Sequence, residues 1–140
     1  MYTFKKSGNY FIINIDNHEE VVAAIAAFCE EQGVHCGLIE GLGAVSSATL
    51  RFLDPATKKY VDRTFDEQME IASLLGNISE KDGKVYLHLH VTLGRRDYSV
   101  VGGHLLCATI NGACEIAILQ LEGPVGRRFD EDTGLNLFKF

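Results

Sequence analysis

Val85-Tyr-Leu-His-Leu-His-Val-Thr-Leu93 alternates between apolar residues and residues that can face water. Alternation with a period of two is the mark of a half-buried strand, so Leu87, Leu89, Val91 and Leu93 share one face while Tyr86, His88, His90 and Thr92 share the other. Both histidines therefore point the same way. Residues two apart on a strand stand roughly 6.5 to 7 Å apart at the backbone, a span from which two imidazoles can converge on one ion. Moving outward, Gly94-Arg-Arg-Asp97 reads as a turn into a second run, Tyr98 to Ile110, and Asn111-Gly112 as a two-residue hairpin into a third, Ala113 to Leu121. The expectation is a three-strand meander.

Upstream, Tyr10 to Asp16 is β-branched and aromatic, and Asp16-Asn17 offers caps for a helix over about residues 18–32 with Glu19 and Glu20 in its first turn. Val21, Val22, Ile25, Ala26, Phe28 and Cys29 form its apolar stripe, and Gly33 supplies the stop. Beyond it come β-rich runs at Cys36 to Phe52, Lys59 to Thr64 and Met69 to Ile78, with Asp54-Pro55 as a turn. One helix and a largely antiparallel sheet define an α+β class. No linker-like stretch or repeat divides the 140 residues, so a single domain spanning residues 1–140 is expected. The strands carry more apolar surface than one helix can cover, which predicts self-association.

The formal charge of −6 repels a phosphate backbone at long range, and the basic residues occur only as the pairs Lys5-Lys6, Lys58-Lys59, Arg95-Arg96 and Arg127-Arg128, read as solvated turns. Direct nucleic-acid binding is not expected. The start, Met-Tyr-Thr-Phe-Lys-Lys, lacks the pattern of a signal peptide, and no apolar run approaches the ~18 residues needed to span a bilayer. A cytoplasmic protein with no membrane role is the expectation. Cys29, Cys36, Cys107 and Cys114 form no CxxC pair and lie in apolar contexts, as buried thiols do.

His104 follows Gly102-Gly103 in the strand after the histidine pair, and a hairpin around Gly94 to Asp97 brings it level with His88. An odd-length loop places it on the same face as His88, whereas an even one turns it away. The glycines remove side chains where the imidazoles project and leave room for a metal, water or small ligand. Three neutral imidazoles with an open position suit a divalent ion, Zn²⁺ above all, with other first-row metals as alternatives. A metal-assisted reaction would need a carboxylate base, for which Glu70 and Glu115 are candidates, the latter sharing the parity of His104 across the Asn111-Gly112 hairpin. No G-x-S-x-G elbow, phosphate loop or dinucleotide fingerprint is present. Gly41-Leu-Gly43 lacks the third glycine of such a fingerprint and reads as a bulge or tight turn.

The order Gly41-Leu-Gly-Ala-Val-Ser46, Leu50-Arg with Asp54-Pro and Tyr60, Glu70-Ile with Ser73-Leu-Leu-Gly76 and Ile78-Ser79, His88-Leu-His90, Gly102-Gly-His-Leu105, and Arg128 with Thr133-Gly-Leu135 resembles the PPC domain, the family conserved in plants and prokaryotes and also called DUF296. The resemblance covers nearly the whole chain. It implies a twisted, largely antiparallel sheet with one principal helix, a homotrimeric assembly and metal binding at the positions of His88, His90 and His104. In plants the domain accompanies an AT-hook. No Arg-Gly-Arg-Pro hook occurs here, and Glu67-Gln-Met-Glu-Ile-Ala72 replaces the plant partner-binding segment G-R-F-E-I-L, keeping only Glu70 and Ile71.

Three functions follow as expectations. The first is a trimeric metal- or small-ligand-binding module. The second is a DNA-associated regulatory scaffold whose nucleic-acid contacts come from another chain. The third is a metal-assisted hydrolase or lyase using Glu70 or Glu115.

Overall fold

The computed structural model describes all 140 residues. In chain order it contains β1 (Tyr2–Ser7), β2 (Tyr10–Ile15), α1 (Val21–Gln32), β3 (Gly37–Asp54), β4 (Lys59–Phe65), β5 (Met69–Lys81), β6 (Lys84–Gly94), β7 (Val100–Gln120), β8 (Gly126–Asp130) and β9 (Leu135–Lys139). The α+β class and the single helix match the sequence reading. No helix is long and apolar enough to cross a membrane.

The strands join in one sheet, ordered β1-β2-β7-β3-β5-β8-β9, with β4 on β3 and β6 bridging β5 and β7. The pairs β3–β5, β5–β6, β6–β7 and β7–β3 close a ring, all of them antiparallel. Only the single β5–β8 contact, Glu80 with Gly126, is parallel. Two long strands make the closure possible. The first half of β3 pairs β5 and the end of β7, and its second half pairs β4 and the start of β7.

Asn111-Gly112 is not a hairpin, because β7 runs straight through it for 21 residues. Cys114 pairs Gly43 and Ile110 pairs Val45, so Asn111, Gly112 and Ala113 bulge opposite Ala44 alone. Neighbours hold the bulge. Gly112 has φ +129°, which favours glycine, and its N–H donates to Asn17 Oδ1 at 3.0 Å, while Asn111 Nδ2 donates to Gln68 Oε1 at 2.7 Å. Tertiary partners thus took the two residues that a local reading gives to a turn. The expected bulge at Gly41-Leu-Gly43 is present as a register shift against β5, and a Cβ at Gly41 would come within 3.0 Å of the Glu115 carbonyl oxygen.

Helix α1 starts later than expected. Glu20, not Asp16 or Asn17, is the N-cap, and its carboxylate accepts from Val22 N at 2.9 Å and Ala23 N at 2.7 Å. The same carboxylate accepts from Ala108 N at 3.0 Å and ties the helix start to β7. Gly33 closes the other end at φ 65°. The helix buries Val21, Ala24, Ile25, Phe28 and Cys29 on the inner sheet face, with Phe28 edge-on to Phe11, Phe4 and Tyr2 at 5.1, 5.2 and 5.4 Å. They belong to a core that also takes Ile13, Ile39, Leu74, Leu89, Val91, Leu105, Ile116 and Ile118. Cys29, Cys36 and Cys114 are buried and Cys107 half-buried, all as free thiols. Burial pushes Cys29 up to about 12 and Cys114 up to about 11, which leaves both unreactive near neutrality.

Candidate metal centre

Strand β6 buries Leu89, Val91 and Leu93 against the core, which turns His88 and His90 onto the outer face. The β6–β7 hairpin closes through five residues, Arg95 to Ser99, between the paired Gly94 and Val100. The Arg95 N–H donates to Ser99 O and the Tyr98 N–H to Arg95 O, both at 2.8 Å. The loop is odd, as the same-face arrangement requires. Its register differs from the expected one by two residues: His104 stands opposite His90, not level with His88. Parity is kept, so all three rings project together.

The ligand nitrogens of His88, His90 and His104 lie within 4.8 Å of one another. His88 Nε2 and His90 Nε2 are 3.2 Å apart, and the ring centroids are separated by 5.1, 5.2 and 5.6 Å. A tetrahedral zinc with bonds near 2.05 Å needs about 3.4 Å between ligand nitrogens. One pair already meets this, and the nitrogen of His104 lies within 4.8 Å of both. Burial, then the neighbouring His90, then Arg127 hold His88 below the usual imidazole range. Burial, then His88, His90 and Arg51 push His104 down to about 4. Both shifts favour the neutral imidazole, the form whose unprotonated nitrogen binds a cation.

Gly102 pairs Thr92 and Gly103 pairs Val91, two places and one place before His104. A Cβ at Gly102 would sit 2.9 Å from the Val91 carbonyl oxygen. Together with Ser73, Leu75, His90 and Thr92 these glycines line an open depression beside the cluster. That is the space expected from the paired glycines.

The carboxylates predicted as bases are elsewhere. Glu70 pairs Gly94, four residues along β6 from His90 or roughly 13 Å at strand rise, and is exposed. Glu115 lies beyond the bulge in β7, paired with Leu42 and Asn14, so its parity with His104 through a hairpin does not exist. No carboxylate belongs to the donor cluster. An acidic group reaches the cluster's edge through Arg51, the cross-strand partner of His104: Arg51 Nε and Nη2 donate to Asp62 at 2.8 and 3.0 Å. Tyr60 completes that side, its ring 5.9 Å from His104 and 4.9 Å from the Arg51 guanidinium carbon.

Arg127 is the residue that the sequence reading missed. It is not in a solvated turn but lies between Tyr86 and Phe138, its guanidinium carbon 4.6 and 4.5 Å from their ring centres. It donates from Nε to Ser79 Oγ at 2.7 Å, from Nη1 to the Asn136 carbonyl oxygen at 2.7 Å and from Nη2 to Asn77 Oδ1 at 2.8 Å. Asn77 is the direct cross-strand partner of His88. The hairpin β8–β9 therefore brings a cation to the edge of the cluster. Nothing in the sequence marks this contact: Ser79, fully buried here, stands among the polar residues Asn77, Glu80 and Lys81.

Comparison with known proteins agrees with this architecture. The model of the Plants and Prokaryotes Conserved (PCC) domain matches residues 2–122. A Bacteroides thetaiotaomicron protein provisionally described as DNA-binding is 51% identical, with TM-score 0.98 over 100% of this chain and 98% of its own. A metal-containing protein of Archaeoglobus fulgidus is 42% identical, with TM-score 0.90 over all of both chains. A plant- and prokaryote-conserved protein of Pyrococcus horikoshii is 28% identical, with TM-score 0.89 over 100% and 95%. Among curated proteins no sequence matches. With the family match covering residues 2–122, most of its length, the chain belongs to the Plants and Prokaryotes Conserved domain family.

Proposed function

We propose that the protein is a metal-binding module in which His88, His90 and His104 hold one divalent first-row ion, with zinc preferred by a set of three imidazoles. The observation that carries this reading is the convergence of three imidazole nitrogens within 4.8 Å on a face where burial favours the neutral form of two of the rings. The metal content of the Archaeoglobus relative supports it. When bound, such an ion supplies Lewis acidity and an open coordination position. The absence of a carboxylate from the donor cluster favours binding over acid–base catalysis. The provisional description of the Bacteroides relative is not extended to direct DNA contact, because a net charge of −6 opposes it.

The working unit in this reading is a homotrimer. Cross-strand rows on the outer face run His90, Leu75, Glu40, Ala117, Ile12 and His88, Asn77, Leu38, Leu119, Tyr10. Leu75 is 58% exposed, and Ile12 and Leu38 are each 52% exposed. A contiguous apolar surface of this kind favours association with further copies of the chain.

Elemental analysis of protein purified without an affinity tag tests the metal reading. Close to one equivalent of metal, lost in the triple His88/His90/His104→Ala variant, is the expected result. Less than a tenth of an equivalent after zinc loading, unchanged in that variant, overturns it.

A further inference from the structure

Arg127 is a feature that holding a metal does not require. Its three hydrogen-bond partners, Ser79, Asn136 and Asn77, are all neutral, and no carboxylate pairs with it, whereas Arg51 on the opposite flank is neutralised by Asp62. A half-buried cation without an anionic partner is costly to keep. The three bonds use three of the five guanidinium N–H groups, so one remains on each of Nη1 and Nη2.

Charge balance gives this cation a role. Three neutral imidazoles contribute no negative charge, so a divalent ion among them leaves its two charges uncompensated beside the positive Arg127. We propose that Arg127 makes the histidine site a receptor for a small anion, a carboxylate or tetrahedral oxyanion, in preference to a neutral ligand. This proposal rests on the metal-binding reading above. Fixed positive charge in a partly desolvated setting raises the local concentration of anions and holds them more strongly than it would in water.

The space is of matching size. The open depression beside His90, floored by the Gly102-Gly103 backbone and walled by Ser73, Leu75 and Thr92, offers about 190 Å³. That is several times the ~30 Å³ share of one water, room for an ion of a few heavy atoms. Ser73 and Thr92 stand as cross-strand partners in its wall and offer hydroxyl donors. Arg127 is not in that wall but stands beyond His88, beside Asn77 and Tyr86, so it acts on an anion at the metal through its field rather than by contact within the depression.

The test uses the full chain loaded with cobalt(II), whose visible spectrum reports its ligands. Acetate, phosphate and the neutral comparator acetamide are titrated separately in low-chloride buffer. The expected result is a saturable spectral change with at least one anion at a concentration at least about tenfold below that needed for acetamide. Arg127→Gln should weaken anion binding at least about tenfold at unchanged cobalt stoichiometry, while Arg127→Lys keeps it within about threefold. A response to acetate alone assigns a carboxylate, and to phosphate alone an oxyanion. Equal affinity for anions and acetamide, or undiminished anion binding by a folded Arg127→Gln, overturns the proposal. Should that variant not fold, the anion-to-acetamide ratio of the wild type decides by itself. Failure to take up cobalt refutes the metal reading and this proposal together, whereas full cobalt occupancy without anion preference refutes this proposal alone.

Discussion

His104 lies directly opposite His90 in the β6–β7 hairpin, their rings nearly perpendicular at 84° with centroids 5.6 Å apart. The third donor of the cluster thus depends on strand pairing across a five-residue loop. Single replacement of either ring by Ala should lower zinc affinity more than the about 10–100-fold typical of outer partners, measured by competition with a chromophoric chelator. A loss under threefold in His104→Ala would remove it from the donor set.

Protonation should weaken the metal-free fold in acid. His104 binds its proton with a value of about 4 in the folded chain against an ordinary 6.5, so between these values the unfolded chain holds more protons. Stability present above pH 6.5 is therefore lost as pH falls toward 4, and His88 shifts in the same direction. Water at these half-exposed rings reduces the size of the effect. Urea unfolding of chelator-treated protein at pH 7, 5.5 and 4.5 should show this decline, with a shallower slope in His104→Gln.

Glu70→Gln and Glu115→Gln should leave zinc affinity within twofold of wild type, since Glu70 stands beside Gly94 and Glu115 beside Leu42, away from the imidazoles. A tenfold loss in either variant, read by the same chelator competition, would place a carboxylate in the centre after all.

Glu20→Ala should destabilise the fold by about 1–2 kcal/mol, because one carboxylate satisfies the first N–H groups of α1 and the Ala108 N–H of β7. Chemical denaturation measures this. A change below about 0.3 kcal/mol would mean that water replaces the cap.

Leu38→Asp with Leu75→Asp should convert the assembly to monomers in sedimentation velocity, since both leucines project from the uncovered sheet face. A wild-type chain that sediments as a monomer would contradict the trimeric reading outright.

Much of this molecule is legible in sequence where local pattern and tertiary demand agree. The alternation over Val85 to Leu93 placed both histidines on one face, and Gly33 ended the helix as its position suggested. The reading broke where distant residues overruled local preference. Asn111-Gly112 favours a turn, yet Asn17 and Gln68 hold it as a bulge within β7, and the supposed link from His104 to Glu115 vanished with the turn. Asp16 and Asn17 are good caps, but Asn17 serves Gly112 and Asp16 pairs with the amino terminus, leaving the helix to Glu20. Arg127 was invisible because its partners are 9 to 50 residues away and neutral, so no charge pattern marks them.

The matched family region ends at residue 122, whereas Arg127 belongs to β8. The three imidazoles thus lie inside the matched region and Arg127 beyond it, on a hairpin that the solved relatives share, since they align over the whole chain. Donors and cation therefore sit on different segments, so a change confined to β8 would alter the charge around the centre without removing a histidine from it.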